Sequence, residues 1–194
     1  MEAGPTVPNY FKAIVSTAEF NRNAAMQFIG VRSLVMTAAT MADLLDDFYL
    51  VLGERFVDAR LYLSGRRAGV RTAQALVAAF KMAPGDKKGT ERLFSDLFAA
   101  LGWGGLNFQL DYANRSGAVI AANSFLAQGA LSRPSAALDP SSLPRCAMLG
   151  GYVAGMVTNL FANDVDVKET ECLAQGHSAC RFEVTPERLY VLKS

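Results

Sequence analysis

VDVKETECLAQGHSACRFEV, residues 165–184, is the stretch that decides the fold. Its two flanks, "DVDVKETEC" and "CRFEVTP", alternate apolar and polar residues with the period of two that a half-buried strand requires. "LAQGHSA" between them reads as a loop, so the flanks form an antiparallel hairpin with a cysteine at each end of the loop. Closing that hairpin brings the thiols of Cys172 and Cys180 together.

Working outward, "CAMLGGYVAGMVTNLFA" reads as an apolar helix with Gly150, Gly151, Ala154 and Gly155 along one side. Leu106, Phe108, Leu110 and Tyr112 alternate with polar residues, "NRSG" is a turn, and Ala118–Asn123 returns as a second strand. The front half is helical. One helix is expected from Phe11 to about Phe28, with strand character over Phe28–Val35. Leu44, Leu45, Phe48, Leu52, Phe56 and Ala59 recur at helical spacing behind a Thr40 cap, with Gly53 and Gly65 as helix ends. "SGRRAGVR" is then a solvated turn, followed by a helix over Gly69–Phe80. Thr90 caps a further helix after the loop "APGDKKG". Helices first, then strand pairs on either side of a helix, predict an α+β fold: an antiparallel sheet packed by helices. Residues 1–27 read as an N-terminal helical extension, 28–186 as the domain and 187–194 as a tail.

Composition narrows the function classes. Of 194 residues 51% are hydrophobic, which serves a large core, a buried interface or an apolar cavity. A net charge of +1 gives no electrostatic case for nucleic acid or an anionic membrane. No segment is long and apolar enough to span a bilayer, and "MEAGPTVPNYF" lacks the basic flank and apolar run of a signal peptide. A cytoplasmic location is expected. In that reducing compartment three cysteines, an odd number, point to metal or chemistry rather than disulfides.

Those cysteines are Cys146, Cys172 and Cys180, and Glu169 stands three residues before Cys172. Three thiolates and a carboxylate complete a tetrahedral shell for Zn²⁺, and four protein ligands leave no position for water. Such a site is structural. His177, the single histidine, or Glu171 competes for the fourth place, and the bland alternative is three buried apolar cysteines. Arg145, Lys168, His177 and Arg181 flank the ligands as candidate charge partners.

The order of "NSFLAQGA", a proline-rich loop, Cys146, "GGYVAGMVTNLF" and "VDVKETECLAQGHSACRFEV" resembles the 4-vinyl reductase domain family. The resemblance covers about residues 28–185. It implies a fold shared with Golgi-transport tethering subunits and with sensor domains of aromatic-responsive bacterial regulators, and it implies dimerisation. It also implies a zinc site made of Cys146, Glu169, Cys172 and Cys180 beside a ligand pocket. The phenol sensors carry a tryptophan after a serine where this chain has Phe125 after Ser124, and a pocket histidine that this chain lacks. A more apolar ligand is therefore expected.

The resulting expectation is a zinc-stabilised sensor or carrier domain for a hydrophobic or aromatic molecule, working as a homodimer with a separate output protein. Phe98, Trp103, Phe108, Tyr112, Phe125, Tyr152 and Met156 are its candidate pocket walls. The alternatives are a protein-interaction module of the tethering type and an accessory protein of tetrapyrrole metabolism. No nicotinamide-binding Gly-x-Gly-x-x-Gly follows a strand, and no Ser/His/Asp set is readable, so no catalytic residue is assigned.

Overall fold

The computed structural model describes residues 9–20, 22, 25–132 and 144–187. The C-terminal hairpin forms as its pattern demands. Strand β6 (Val165–Glu171) pairs antiparallel with β7 (Cys180–Pro186), and β7 pairs with β5 (Ser116–Ala122), itself paired with β4 (Gly105–Asp111). The strand order β4-β5-β7-β6 gives one antiparallel sheet. Partners in register share a face, so Leu106, Val119, Phe182 and Val167 lie on the inner side with Cys180 and Glu169.

Helix α6 (Ala147–Phe161) covers that inner face. It is apolar nearly all round because it is covered on both sides: the sheet on one, helix α3 (Glu54–Ala79) on the other. The helices approach until backbones touch. A Cβ added at Gly151 or Gly155 would lie 2.0 Å from the carbonyl oxygen of Tyr62 or 2.4 Å from that of Arg66. On the facing helix, a Cβ at Gly65 or Gly69 would lie 2.2 or 2.3 Å from carbonyl oxygens of α6. This corrects two expectations. Gly65 does not end a helix, and "SGRRAGVR" is not a turn, because these glycines answer a helix crossing rather than a helix terminus. Nor do Gly151 and Gly155 leave ligand space, since α3 fills it, while Gly150 faces the Phe182 ring.

Elsewhere the caps move by a few residues. Helix α2 (Ala38–Leu52) starts at Thr37, whose Oγ1 accepts from the Thr40 N–H, so Thr40 is inside the first turn. Helix α4 (Lys87–Ala100) is capped by Asp86, which accepts from the Gly89 N–H, rather than by Thr90. The first helix, α1, spans only Phe11–Val15. The Ser16 and Thr17 hydroxyls donate back to the carbonyls of Ala13 and Ile14, which competes with helix continuation. A small sheet follows: β1 (Glu19–Phe20), β2 (Met26–Phe28) and β3 (Val31–Ser33). The boundary expected after residue 27 falls inside β2. A short helix that the sequence pattern does not announce, α5 (Phe125–Leu131), follows β5 directly. The tail beyond Glu187 and most of the proline-rich loop lie outside the described residues.

No helix among the described residues is long and apolar enough to cross a membrane. The apolar surplus divides between the core and the outer surface of α2 and early α3. There Leu50 is 86% exposed, Val51 77% and Phe56 56%.

Candidate metal centre and aromatic cluster

Four elements converge at one end of α6. Cys146 is its N-cap residue, Glu169 is on β6, Cys172 precedes a single 3-10 turn (Leu173–Gln175), and Cys180 opens β7. All three thiols are fully buried and free. Their sulfurs are 3.6 Å (Cys146–Cys180), 3.9 Å (Cys172–Cys180) and 4.0 Å (Cys146–Cys172) apart. A disulfide needs about 2.05 Å. A tetrahedral ion with ligands at ~2.3 Å sets sulfurs about 3.8 Å apart. The ligand atoms of the three cysteines and Glu169 all lie within 4.8 Å of one another, so the cluster can hold a metal ion.

Glu169 supplies a second sign. Its Oε2 accepts the Cys146 N–H at 3.0 Å, while its Oε1 is buried without any hydrogen-bond partner. A buried carboxylate oxygen left unpaired is costly, and a cation at the centre of the four groups would satisfy it. Strand geometry explains why Glu169 is the carboxylate. Val165, Val167 and Glu169 alternate onto the inner face, and a bulge between Glu169 and Glu171 then sets Glu171 opposite Arg181 on the outer face. Glu171 and His177 are exposed and outside the cluster.

The groups nearest the sulfurs are neutral donors. The Arg145 N–H points to Cys172 Sγ at 3.5 Å and the Leu173 N–H to Cys180 Sγ at 3.4 Å. The Ser124 hydroxyl, fully buried, is 3.2 Å from Cys146 Sγ. These replace the side-chain cations expected from the flanks. The Arg145 guanidinium pairs with Glu54 and lies over the Tyr49 ring, Arg181 pairs with Glu183, and Lys168 is exposed. Ser124 escaped the sequence reading. It lies 22 residues from Cys146, and only the tertiary fold brings it there.

The protonation of the four groups is strongly perturbed. Burial, then the charge on Cys172, pushes Glu169 up to about 8. Hydrogen bonds from Cys146 and Cys180 pull Cys172 down, and the same bonds with burial push Cys146 well up. Four acidic groups thus share little more than one negative charge near neutrality unless a cation joins them, so metal binding releases protons.

Next to this centre lies an aromatic cluster. Trp103 stands 5.4 Å from Phe98, 5.3 Å from Phe125 and 5.1 Å from Tyr152, centroid to centroid, mostly edge to face. Phe98 and Tyr152 also meet, at 5.8 Å. The Tyr152 hydroxyl bonds Thr72 Oγ1 at 2.8 Å. The two sites join at Ser124–Phe125: the serine touches Cys146, and the next residue is a ring of the cluster. Met156 is fully buried one helical turn beyond Tyr152, and Phe108 packs on the core from mid-β4. Tyr112 is elsewhere, at the far end of β4, stacked edge-on to Phe161 with its hydroxyl donating to Glu91.

Fold and centre together define the class: an α+β domain whose last helix and hairpin meet at a buried three-sulfur, one-carboxylate cluster. Residues 132–186 match the model of the 4-vinyl reductase domain family, and the fold is of that family's type. No curated protein sequence matches the chain. Among solved structures, the phenol-responsive sensory domain of the transcription activator PoxR with phenol superposes with a TM-score of 0.76 at 18% identity, over 95% of this chain and 92% of that one. A trafficking protein particle complex subunit 3 from Naegleria fowleri, covalently bound to palmitic acid, gives 0.50 at 10% identity, over 78% and 95%. A vinyl-4-reductase family protein from Methanocaldococcus jannaschii gives 0.48 at 16% identity, over 97% and 99%. These likenesses concern the fold.

Proposed function

We propose that the chain is a zinc-stabilised, sensor-type binding domain for a small hydrophobic or aromatic molecule. The observation that carries this is the contact between the two clusters. A four-ligand centre sits directly behind a set of rings through Ser124–Phe125. Zinc fits best because three thiolates and one carboxylate oxygen suit a borderline-soft tetrahedral ion. With all four positions filled by protein, the ion would act structurally, tying α6 to the β6–β7 hairpin. Thiols kept reduced in a cytoplasm would suit it. Phe98, Trp103, Phe125 and Tyr152 are the proposed ligand contacts, with Met156 behind Tyr152. The sensory domain that shares the fold binds phenol, which supports an aromatic ligand here.

Native mass spectrometry of protein purified without chelator tests the proposal. One zinc per chain, and a retained or added apolar aromatic molecule, are expected. A folded chain without metal, whose three thiols all react freely with a thiol reagent, overturns it.

A second reading, a protein-interaction module, draws on the exposed apolar side chains of α2 and α3. A homodimer through this surface is its simplest form. Light scattering that finds only monomer at micromolar concentration rules that out.

A further inference from the structure

Trp103 is the chain's single tryptophan, on the link between α4 and β4. Its indole fills the space bounded by three rings from three different helices: Phe98 of α4, Phe125 of α5 and Tyr152 of α6. We infer that Trp103 is a displaceable plug that occupies the ring site of a flat, uncharged aromatic ligand and so sets which ligands enter. The inference rests on the binding-domain reading proposed above and adds how its site is filled and emptied.

Three observations support a plug rather than a fixed wall. First, the backbone is anchored while the side chain is not. The Trp103 N–H donates to the Phe98 carbonyl at 2.9 Å, and the Trp103 carbonyl accepts from the Phe125 N–H at 3.4 Å. Among the described residues no hydrogen bond holds the indole. Rotation about its own side-chain bonds can therefore empty the space without breaking the anchors. Second, its neighbours are Gly102 (φ +70°) and Gly104 (φ +114°). Neither carries a side chain to obstruct the swing, and a Cβ at Gly102 would meet nothing within 4 Å. Third, the cluster is only half-buried at Trp103, Phe125 and Tyr152, so the indole has a way out to solvent.

The chemistry of the slot defines the ligand class. The lining rings present carbon faces and edges, and an aromatic guest recovers the edge-to-face contacts that the indole gives up. The Tyr152–Thr72 hydroxyl pair spends one of its two O–H groups internally, which leaves one donor for a guest. A charged guest would lose its hydration without a partner.

Toluene is the probe, titrated into the full, metal-loaded chain while Trp103 emission is followed. Emission should move to the red as the indole enters water. By calorimetry, Trp103→Ala should bind toluene about tenfold more tightly than the wild type, equivalent to ~1.4 kcal/mol. Trp103→Phe, a milder change that keeps the fold if the alanine variant does not, should also bind more tightly. Weaker binding by both variants, or an unmoved or blue-shifted emission at saturation, makes Trp103 a wall and overturns the inference alone. If neither the wild type nor folded, zinc-retaining variants bind toluene, the aromatic-site reading fails and the plug with it. Binding by the variants but not by the wild type supports the plug.

Discussion

The metal centre and the aromatic cluster share a border at Ser124–Phe125, yet they are stabilised in opposite ways. The aromatic cluster is complete within the chain: each ring has partners at 5.1–5.8 Å, and its one buried hydroxyl contact is made. The sulfur cluster is incomplete within the chain. It has four acidic groups within 4.8 Å, one carboxylate oxygen without a partner, and only neutral donors around it. A region that satisfies itself contributes packing and yields to a guest that repeats its contacts. A region that cannot satisfy itself calls for an ion, and its stability is that ion's binding free energy.

The sharpest way to break this contrast is Cys172→Ser. If zinc ties the hairpin to α6, loss of a thiolate should cost about 5 kcal/mol or abolish folding. A chelator should lower the melting temperature of the wild type and leave that of any surviving variant unchanged. Equal melting temperatures for wild type and variant in calorimetry would put both regions on the same footing. Next comes Phe98→Ala, which opens a cavity in the self-sufficient region. A loss of roughly 4 kcal/mol is expected by thermal or denaturant unfolding, with zinc content unchanged. Zinc lost along with Phe98 would mean that the two regions fold as one unit.

Glu169→Gln gives results of opposite sign for the two accounts. With a metal, removing the charged ligand should destabilise the chain by about 2 kcal/mol and weaken zinc retention. Without one, replacing a buried, half-paired carboxylate by a neutral amide should raise stability. Chemical denaturation in the presence and absence of chelator reads the sign. The smallest effect belongs to the border. Ser124→Ala removes the hydroxyl beside Cys146 and should cost about 1 kcal/mol, with a modest fall in zinc affinity measured by competition with a chromophoric chelator. No change in either quantity would deny the border a role.

Legibility followed the range of the interactions. Period-two alternation showed β4, β5, β6 and β7 because each strand's pattern is local and records which face is buried. The helix of small and apolar residues after Cys146 was visible for the same reason. Glycine was misleading at position 65, where the cause lies on another helix, and Thr40 and Thr90 misled because several residues near each helix start can cap. The length of α1 was overread because Ser16 and Thr17 close it with their own side chains.

At the candidate centre, the sequence by itself determined the ligand types, since three cysteines and a nearby carboxylate are a chemical inventory. It left Glu169, Glu171 and His177 in competition. Only the tertiary structure decided among them: a β-bulge turns Glu171 outward after Val165, Val167 and Glu169 have faced in, and His177 stays on the exposed loop. The aromatic residues were legible one by one as large apolar groups. That Phe98, Trp103, Phe125 and Tyr152 meet while Tyr112 does not depends on where α4, α5 and α6 end relative to one another. Composition records which side chains must leave water. Which of them meet is set by backbone contacts such as the glycine crossing of α3 and α6, between residues more than eighty positions apart in the chain.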